Sequence, residues 1–478
     1  MAWSSCFTDV LLLIFDQVQF DTLFVCMQVS SHWRNVARRH PTFWKTLQIS
    51  DSTLTTGGVA MFLERLHAAH TGNSPIRLVL RCSIVVDHLV RSILPAVTRH
   101  MCRIEDLSLV LTPVVASAFS DVFASSAPKL RRLHIYIKYL GPATWTNLDN
   151  LSGVFKLHES DVLKSITLVD VPLADNLPPM PHVVEDATIY YIHLYPQLHH
   201  VSAWIPCIRS LDVWSVHPIS SRPGRLATAP VAWGAISNSP LKRISLYCAD
   251  WYAVLTKLTV YRDIPLVVLR IRRPRPNEAA SVVPRNGLLC ARIGFRDAHP
   301  RWNADAGPWG VFAIATQDHS TLRVFEQLSI NHMLSTAFLD KMISAERLST
   351  LVVSLSVGLI ALCVDRRSFP QLQTLCICLN GLPEDPEYWT HGKVVCPRLN
   401  SLAFQRECET GRCIVTRRAI DSFIQHALDL PELVTLRVVL RNMRMTGHKG
   451  WSRDSRISRI THNTVKPWIA EVMDTNRM

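Results

Sequence analysis

"PKLRRLHIYI", Pro128–Ile137, sets the pattern that organises most of this chain. Leu130, Leu133 and Ile135 are spaced x-x then x, and the last two alternate with His134 and Tyr136 as a half-buried strand requires. The same triple returns at Ile104/Leu107/Leu109, Leu163/Ile166/Leu168, Ile208/Leu211/Val213, Leu241/Ile244/Leu246 and Leu266/Leu269/Ile271. Further copies are Phe325/Leu328/Ile330, Leu348/Leu351/Val353, Leu372/Leu375/Ile377, Leu399/Leu402/Phe404 and Leu433/Leu436/Val438.

In so apolar a chain the triple alone is no more frequent than chance. The proline in front of it decides the matter. Pro128, Pro206, Pro370, Pro397 and Pro431 each stand two residues before a first apolar position, five of 28 prolines, where random placement gives about one. Proline stops a preceding helix and favours an extended approach to the next strand. Helices fit between strands over Val85–His100 and Val114–Ser126. Most copies start 23 to 34 residues apart, but 45 separate Leu163 from Ile208 and 59 separate Leu266 from Phe325. In the longer gap "RIRRPRPNEAASVVPRNG" (270–287) reads as a loop and "LLCARIGF" (288–295) as an extra strand or an unregistered repeat, so residues 272–320 are a possible interruption.

Ahead of the repeats, "VSSHWRNVARRHPTFWKTLQIS" (29–50) reads differently. Val29, Trp33, Val36 and Ala37 make one helical stripe, with Arg34, Arg38, Arg39 and His40 opposite. Pro41 ends that helix, and Leu47 and Ile49 alternate with Thr46 and Gln48 as a strand. Two shorter helices precede it, one from Thr8 or Asp9 to Val18 and one capped by Asp21; Ser30 or Ser31 caps the third. The first two are apolar almost all round, more than about 40 residues can bury alone.

The order Asp9-Val10-Leu11, Ile14-Phe15, Asp21-Thr22-Leu23, Val29, Trp33-Arg34, Ala37, Pro41-Thr42-Phe43-Trp44 resembles an F-box across residues 6–48. The repeats, with their shortest periods inside the 20–29-residue range, resemble degenerate leucine-rich repeats of strand-loop-helix type. The expected fold is thus an α/β solenoid: an irregular leucine-rich-repeat horseshoe with a small N-terminal three-helix F-box-like unit. Its expected divisions are an F-box-like domain at 6–50, repeats over 51–440 and a basic tail at 441–478. The resemblance implies a Skp-type adaptor and a cullin ligase core as partners, with Val10, Leu11, Ile14, Phe15 and Leu23 as exposed adaptor-binding anchors. Val29, Trp33 and Trp44 are the expected F-box core.

The rest of the composition narrows the functional classes. No nucleophile elbow, phosphate-binding loop, dinucleotide fingerprint or zincin motif is present, so no catalytic residue is assigned and no enzyme activity is expected. Thirteen cysteines form no Cys-x-x-Cys. Cys376 and Cys378 have strand spacing that would expose both; Cys396, Cys408 and Cys413 lack a fourth zinc ligand, and His199-His200 stands alone. No metal or cofactor is expected. The apolar run Val10–Phe15 lies between Asp9 and Asp16, unlike a secretion signal, and no 18-residue apolar run suits a membrane span. Reduced thiols fit cytoplasm or nucleus.

A net charge of +13 spread over 478 residues does not by itself signal nucleic acid. The basic residues Arg437, Arg441, Arg444, Lys449, Arg453, Arg456, Arg459 and Lys466 read as a solvated tail, with only Trp451 and Trp468 interleaved. Alternation along the strands turns His134, Tyr136, Asp212, Trp214, Ser245 and Tyr247 outward as candidate substrate-binding residues. The expected function is that of a substrate-recognition adaptor of a Skp–cullin–F-box ubiquitin ligase, its protein substrate unknown. The alternative is a non-ligase interaction scaffold whose F-box-like unit packs on its own repeats.

Overall fold

A computed structural model describes residues 2–18, 20–68, 75–138, 162–171, 184–192, 207–215, 241–248, 251–252, 255, 262–271, 273–296, 309–318, 320–333, 335–354, 368–379, 392–406, 414–432, 434–441, 443–446 and 457–463. The chain divides into two compact units, 1–259 and 260–478.

The first unit opens with four helices: α1 (Ala2–Gln17), α2 (Phe20–Cys26), α3 (Ser31–Arg39) and α4 (Pro41–Lys45). Strand β1 (Thr46–Ser50) and helix α5 (Thr56–Ala68) follow. Then come β2 (Ile76–Cys82), a π-helical turn (Leu89–Ile93) running into α6 (Leu94–His100), and β3 (Ile104–Leu111). Helices α7 (Pro113–Ser117) and α8 (Ser120–Ala124) precede β4 (Arg132–Ile137), β5 (Ser165–Val169), β6 (Asp186–Tyr191), β7 (Ser210–Ser215) and β8 (Arg243–Tyr247).

Strands β1 to β8 pair in chain order, every pair parallel. The strand burial alternates, with Leu107, Leu109, Leu133, Ile135, Ile166, Leu168, Ile189, Val213 and Leu246 all fully buried on one side. Helix α5 packs on β1 and α7 on β3. Each such leucine or isoleucine contributes about 1.5–3 kcal/mol by leaving water.

The proline motif has a local cause. Ala127 O accepts from Leu130 N at 3.1 Å, Phe369 O from Leu372 N at 3.1 Å and Cys396 O from Leu399 N at 3.2 Å. Pro128, Pro370 and Pro397 therefore occupy the second position of a β-turn, where a fixed φ is already suitable. The leucine it delivers is buried in all three. After the turn the backbone ladder begins at equivalent residues. Arg131 N donates to Glu105 O at 2.8 Å, Lys164 N to Arg131 O at 2.9 Å and Lys242 N to Arg209 O at 2.8 Å.

The 45-residue gap hides a strand. Strand β6 carries the triple Val184/Ala187/Ile189, which splits the gap into steps of 21 and 24 residues. At the end of β5, Asp170 adopts a left-handed φ of 52° and is fully buried. Its Oδ1 accepts from Ile192 N at 2.7 Å, which fastens the ends of β5 and β6 together.

The second unit holds β9 (Leu266–Arg270), α9 (Pro276–Val282), β10 (Leu289–Arg296), β11 (Trp309–Thr316) and β12 (Leu322–Leu328). Two short helices, α10 (Ile330–Met333) and α11 (Thr336–Met342), lead to β13 (Leu348–Ser354) and β14 (Thr374–Leu379). Then come β15 (Val394–Val395), β16 (Ser401–Arg406), β17 (Ile414–Thr416), α12 (Arg417–Ala427), β18 (Leu428–Asp429), β19 (Leu436–Arg441), β20 (Arg444–Thr446) and β21 (Ile457–Asn463).

Its main sheet runs β9-β12-β11-β10-β13-β14-β16-β19-β21. Only β11 runs against the others among these nine. The pairs β15–β18 and β17–β20 form two small parallel ladders. Residues 270–287 are thus not wholly loop, since α9 lies within them, and "LLCARIGF" is a strand. The strand expected at Phe325/Leu328/Ile330 is shifted toward the N-terminus, because Ile330 opens α10.

Arg323 is buried and donates to the carbonyls of Ile264 at 2.8 Å, Arg262 at 2.9 Å and Val282 at 3.2 Å. It joins the approach to β9, the end of α9 and β12. Gly310 lets α10 come close to β11, since a Cβ there would lie 2.8 Å from Met333 Sδ. The basic stretch is only partly a tail. Arg437 and Arg441 lie on β19, Arg444 on β20, and residues 457–463 pair with β19. Lys449, Trp451, Arg453, Arg456, Lys466 and Trp468 lie outside the described residues.

Candidate functional site

The N-terminal helices close around Leu11, Phe15, Leu23, Met27, Val36, Ala37 and Phe43. Trp33 and Trp44 are half-buried against this cluster. Phe15 meets the Trp33 ring edge-on at 5.8 Å and Phe43 meets Trp44 at 5.0 Å. Ser30 caps α3 by accepting from Trp33 N at 3.2 Å, the role expected of it. Pro41 does not merely end α3. It opens α4 as its first residue, where a missing N–H costs nothing.

Polar groups lock the unit. Buried His40 holds Asp16 Oδ1 at 3.0 Å, tying α3's end to α1. Trp44 Nε1 donates to Arg38 O at 2.6 Å. From α5, buried Arg65 donates to Phe43 O at 3.0 Å and Thr46 O at 2.7 Å while its guanidinium lies over the Phe43 ring. Burial lowers the Arg65 pKa to about 10, still charged at neutral pH.

Helix α1 has two apolar faces. Leu11 and Phe15 point into the core, whereas Phe7, Val10, Leu13 and Ile14 are exposed, Leu13 by 66% and Ile14 by 42%. Val25 and Val29 add to the exposed apolar surface of this unit. The expected anchors therefore separate. Val10 and Ile14 are exposed, whereas Leu11, Phe15 and Leu23 are buried in the shared core of the N-terminal helices. Val29 is likewise no core residue; it is 63% exposed in the turn before Ser30.

The second surface is the half-buried side of β3 to β8. Strand register aligns it into three lanes running across the strands. The first lane is charged or polar: Asp106, Arg132, Ser165, Asp186, Ser210 and Arg243. A middle lane of Ser108, His134, Thr167, Thr188, Asp212 and Ser245 offers hydrogen-bonding groups. The last is Val110, Tyr136, Val169, Tyr190, Trp214 and Tyr247. Tyr190, Trp214 and Tyr247 stack, with centroids 5.5 and 4.6 Å apart and planes tilted by 35° and 30°. Asp106 is held by Arg132 at 3.1 Å and Arg77 at 3.6 Å. Burial lowers the His134 pKa, with Asp106 opposing.

Residues 8–50 match the F-box-like family model. No curated protein matches the chain. The F-box-like match supports a role in F-box-mediated protein interaction, and domains of this family are typically non-catalytic. Of the residues expected on the outward side of the strands, His134, Tyr136, Asp212 and Tyr247 are half-buried. Trp214, stacked between Tyr190 and Tyr247, is only 9% exposed and Ser245 is fully buried, so neither is turned out to solvent as expected.

Sequence reasoning missed Tyr190, because β6 was hidden, and Arg65, whose acceptors are backbone carbonyls with no signal in the sequence. Cys376 and Cys378 share a face as expected but are buried with Val352, Ala403 and Val439. The Cys378 hydrogen bond, with Arg441 and Arg292 nearby, holds the Cys376 thiol below its ordinary pKa despite burial. Cys408, Cys413, His199, His200 and Pro206 lie outside the described residues. Among the described residues no group of three or more His, Cys, Asp or Glu could hold a metal, and no helix is long and apolar enough to cross a membrane.

Proposed function

We propose that this chain is a substrate-recognition adaptor of a Skp–cullin–F-box ubiquitin ligase, acting in cytoplasm or nucleus. The F-box-like unit docks on a Skp-type adaptor through the exposed α1 stripe of Phe7, Val10, Leu13 and Ile14. The strand face, read as a degenerate leucine-rich-repeat surface, holds the protein substrate. Rate enhancement in such an assembly comes from tethering, which raises the effective concentration of substrate lysines. No side chain of this protein need act as a nucleophile.

The observation that carries the reading is the F-box-like match over a helix whose second apolar face has no cover within its own core. The test is co-purification of full-length protein with a Skp-type adaptor, comparing wild type with V10D/I14D. Capture by wild type and its loss in the double variant, with unchanged unfolding temperature, is expected. Equal capture by both would assign docking to another surface. Absence of capture by folded wild type would leave the scaffold reading, which the Arg65 bonds between α5 and the F-box-like unit favour.

A further inference from the structure

Helix α3 carries a face that the core does not use. Its Val36 and Ala37 are buried, while Arg34, Asn35, Arg38 and Arg39 are all exposed. Arg34 and Arg38 are four residues apart, as are Asn35 and Arg39, so the four make one patch with neighbouring Cβ atoms about 5–6 Å apart. From Thr22 to Ser50 the chain has four cations, Arg34, Arg38, Arg39 and Lys45, and no aspartate or glutamate.

Helix physics accounts for only part of this patch. Arg38 and Arg39 lie in the last turn, where a cation meets the negative end of the helix dipole. Arg34 is the fourth residue of the helix, toward the positive end, where the dipole disfavours it. It also stands one turn from Arg38, and like charges at that spacing repel. Among the described residues none of the three arginines is ion-paired.

The Arg34 fork is held in place all the same. Its Nε donates to Met27 O at 3.2 Å, just past the end of α2, and its two Nη groups bond no other described residue. A guanidinium edge fixed in this way is preorganised for carboxylate oxygens. In an extended peptide the side chains on one side recur every 6.6–6.8 Å or so, about the Arg34–Arg38 spacing. Asn35, beside them, both donates and accepts, which suits a peptide backbone. A phosphodiester only accepts, and single-stranded nucleic acid also needs ring platforms to stack on. The rings of this helix are engaged elsewhere: Trp33 packs on the core and His32 stacks on Phe7 at 5.8 Å.

We propose that the exposed face of α3 binds an extended acidic segment of a protein partner, with alternate aspartates or glutamates meeting Arg34 and Arg38 and with Arg39 at the border. This contact is separate from the docking given to the α1 stripe and does not depend on it.

The test is titration of full-length protein into a fluorescein-labelled 12-residue peptide of alternating glutamate and serine, followed by fluorescence polarisation at physiological salt. A labelled 12-nucleotide thymidine oligomer is the comparison. Three variants are measured beside wild type. R34Q/R38Q/R39Q removes the patch, and R38Q/R39Q keeps the Arg34–Met27 bond. R81Q/K129Q/K138Q removes three exposed cations elsewhere in the same unit. Glutamine is a good helix former, so unfolding temperatures close to wild type are expected; should the α3 triple variant unfold early, the double variant decides. Peptide affinity should fall at least tenfold in the α3 triple variant, at least threefold in the double variant and less than twofold in the control triple. Absence of peptide binding by wild type, or equal losses in the two triple variants, would overturn the proposal. So would tighter binding of the oligonucleotide with the same loss at α3, which would give this face to nucleic acid.

Discussion

The guanidinium of Arg65 lies 4.4 Å from the centroid of the Phe43 ring and donates to that residue's own carbonyl at 3.0 Å. One side chain thus satisfies the backbone at the α4–β1 junction and covers the aromatic ring beneath it. The arginine is buried, and the carbonyls of Phe43 and Thr46 accept hydrogen bonds from its guanidinium. Replacing Arg65 by methionine keeps volume but leaves the Phe43 and Thr46 carbonyls without these donors. A loss of about 2–4 kcal/mol is expected in urea unfolding. Arg65→Lys recovers only part of it, because one ammonium cannot reproduce the fork.

Adjacent residues of α1 should behave oppositely. Phe15 is fully buried and Ile14 is 42% exposed. Phe15→Ala is expected to cost about 3–5 kcal/mol through an unfilled core, whereas Ile14→Ala should change stability by about 0.5 kcal/mol or less. Thermal unfolding of the two single variants checks this, and equal losses would contradict the division of α1 into two faces.

Asp170 combines a left-handed backbone with a carboxylate that holds Ile192 N. Asn tolerates that conformation and keeps an acceptor, so Asp170→Asn should retain most of the stability. Asp170→Val loses both and should cost about 2–4 kcal/mol. Chemical unfolding of the pair separates the backbone requirement from charge.

His134 gives the protein an acid-side weakness. Its folded-state pKa is depressed by burial, so between the unfolded value of about 6.5 and the lower folded value the unfolded chain binds more protons. Stability therefore falls as pH drops through that window and levels off below the folded pKa. His134→Gln should flatten the fall when unfolding free energy is measured from pH 7.5 to 5. An unchanged slope would place the proton uptake elsewhere.

Much of the parallel layer was legible because its strands repeat a burial pattern that proline turns keep in phase. Leu130, Leu372 and Leu399 all follow a turn proline and are all buried. Strand β6 escaped because Ala187 takes the place of a large apolar residue, and alanine has no strong strand signature. The F-box-like helices were legible in order but not in orientation. A motif marks Ile14 and Phe15 alike, while a helix turns neighbours about 100° apart, and only one can face the core. Arg65 and Asp170 act through backbone partners, which no side-chain pattern announces.

The reversed strand β11 has a consequence for how this protein can be lengthened. Strands β12 and β13 follow one another in the chain, yet β11 and β10 stand between them, and the connection bearing α10 must pass close over Gly310. Since β10 runs with β12, strand β13 meets the polarity it would have met on β12 itself. The β10–β11 hairpin is therefore a graft of even strand number. It sets two successive repeats three strand spacings apart, about 14 Å, and spares every later repeat a change of direction.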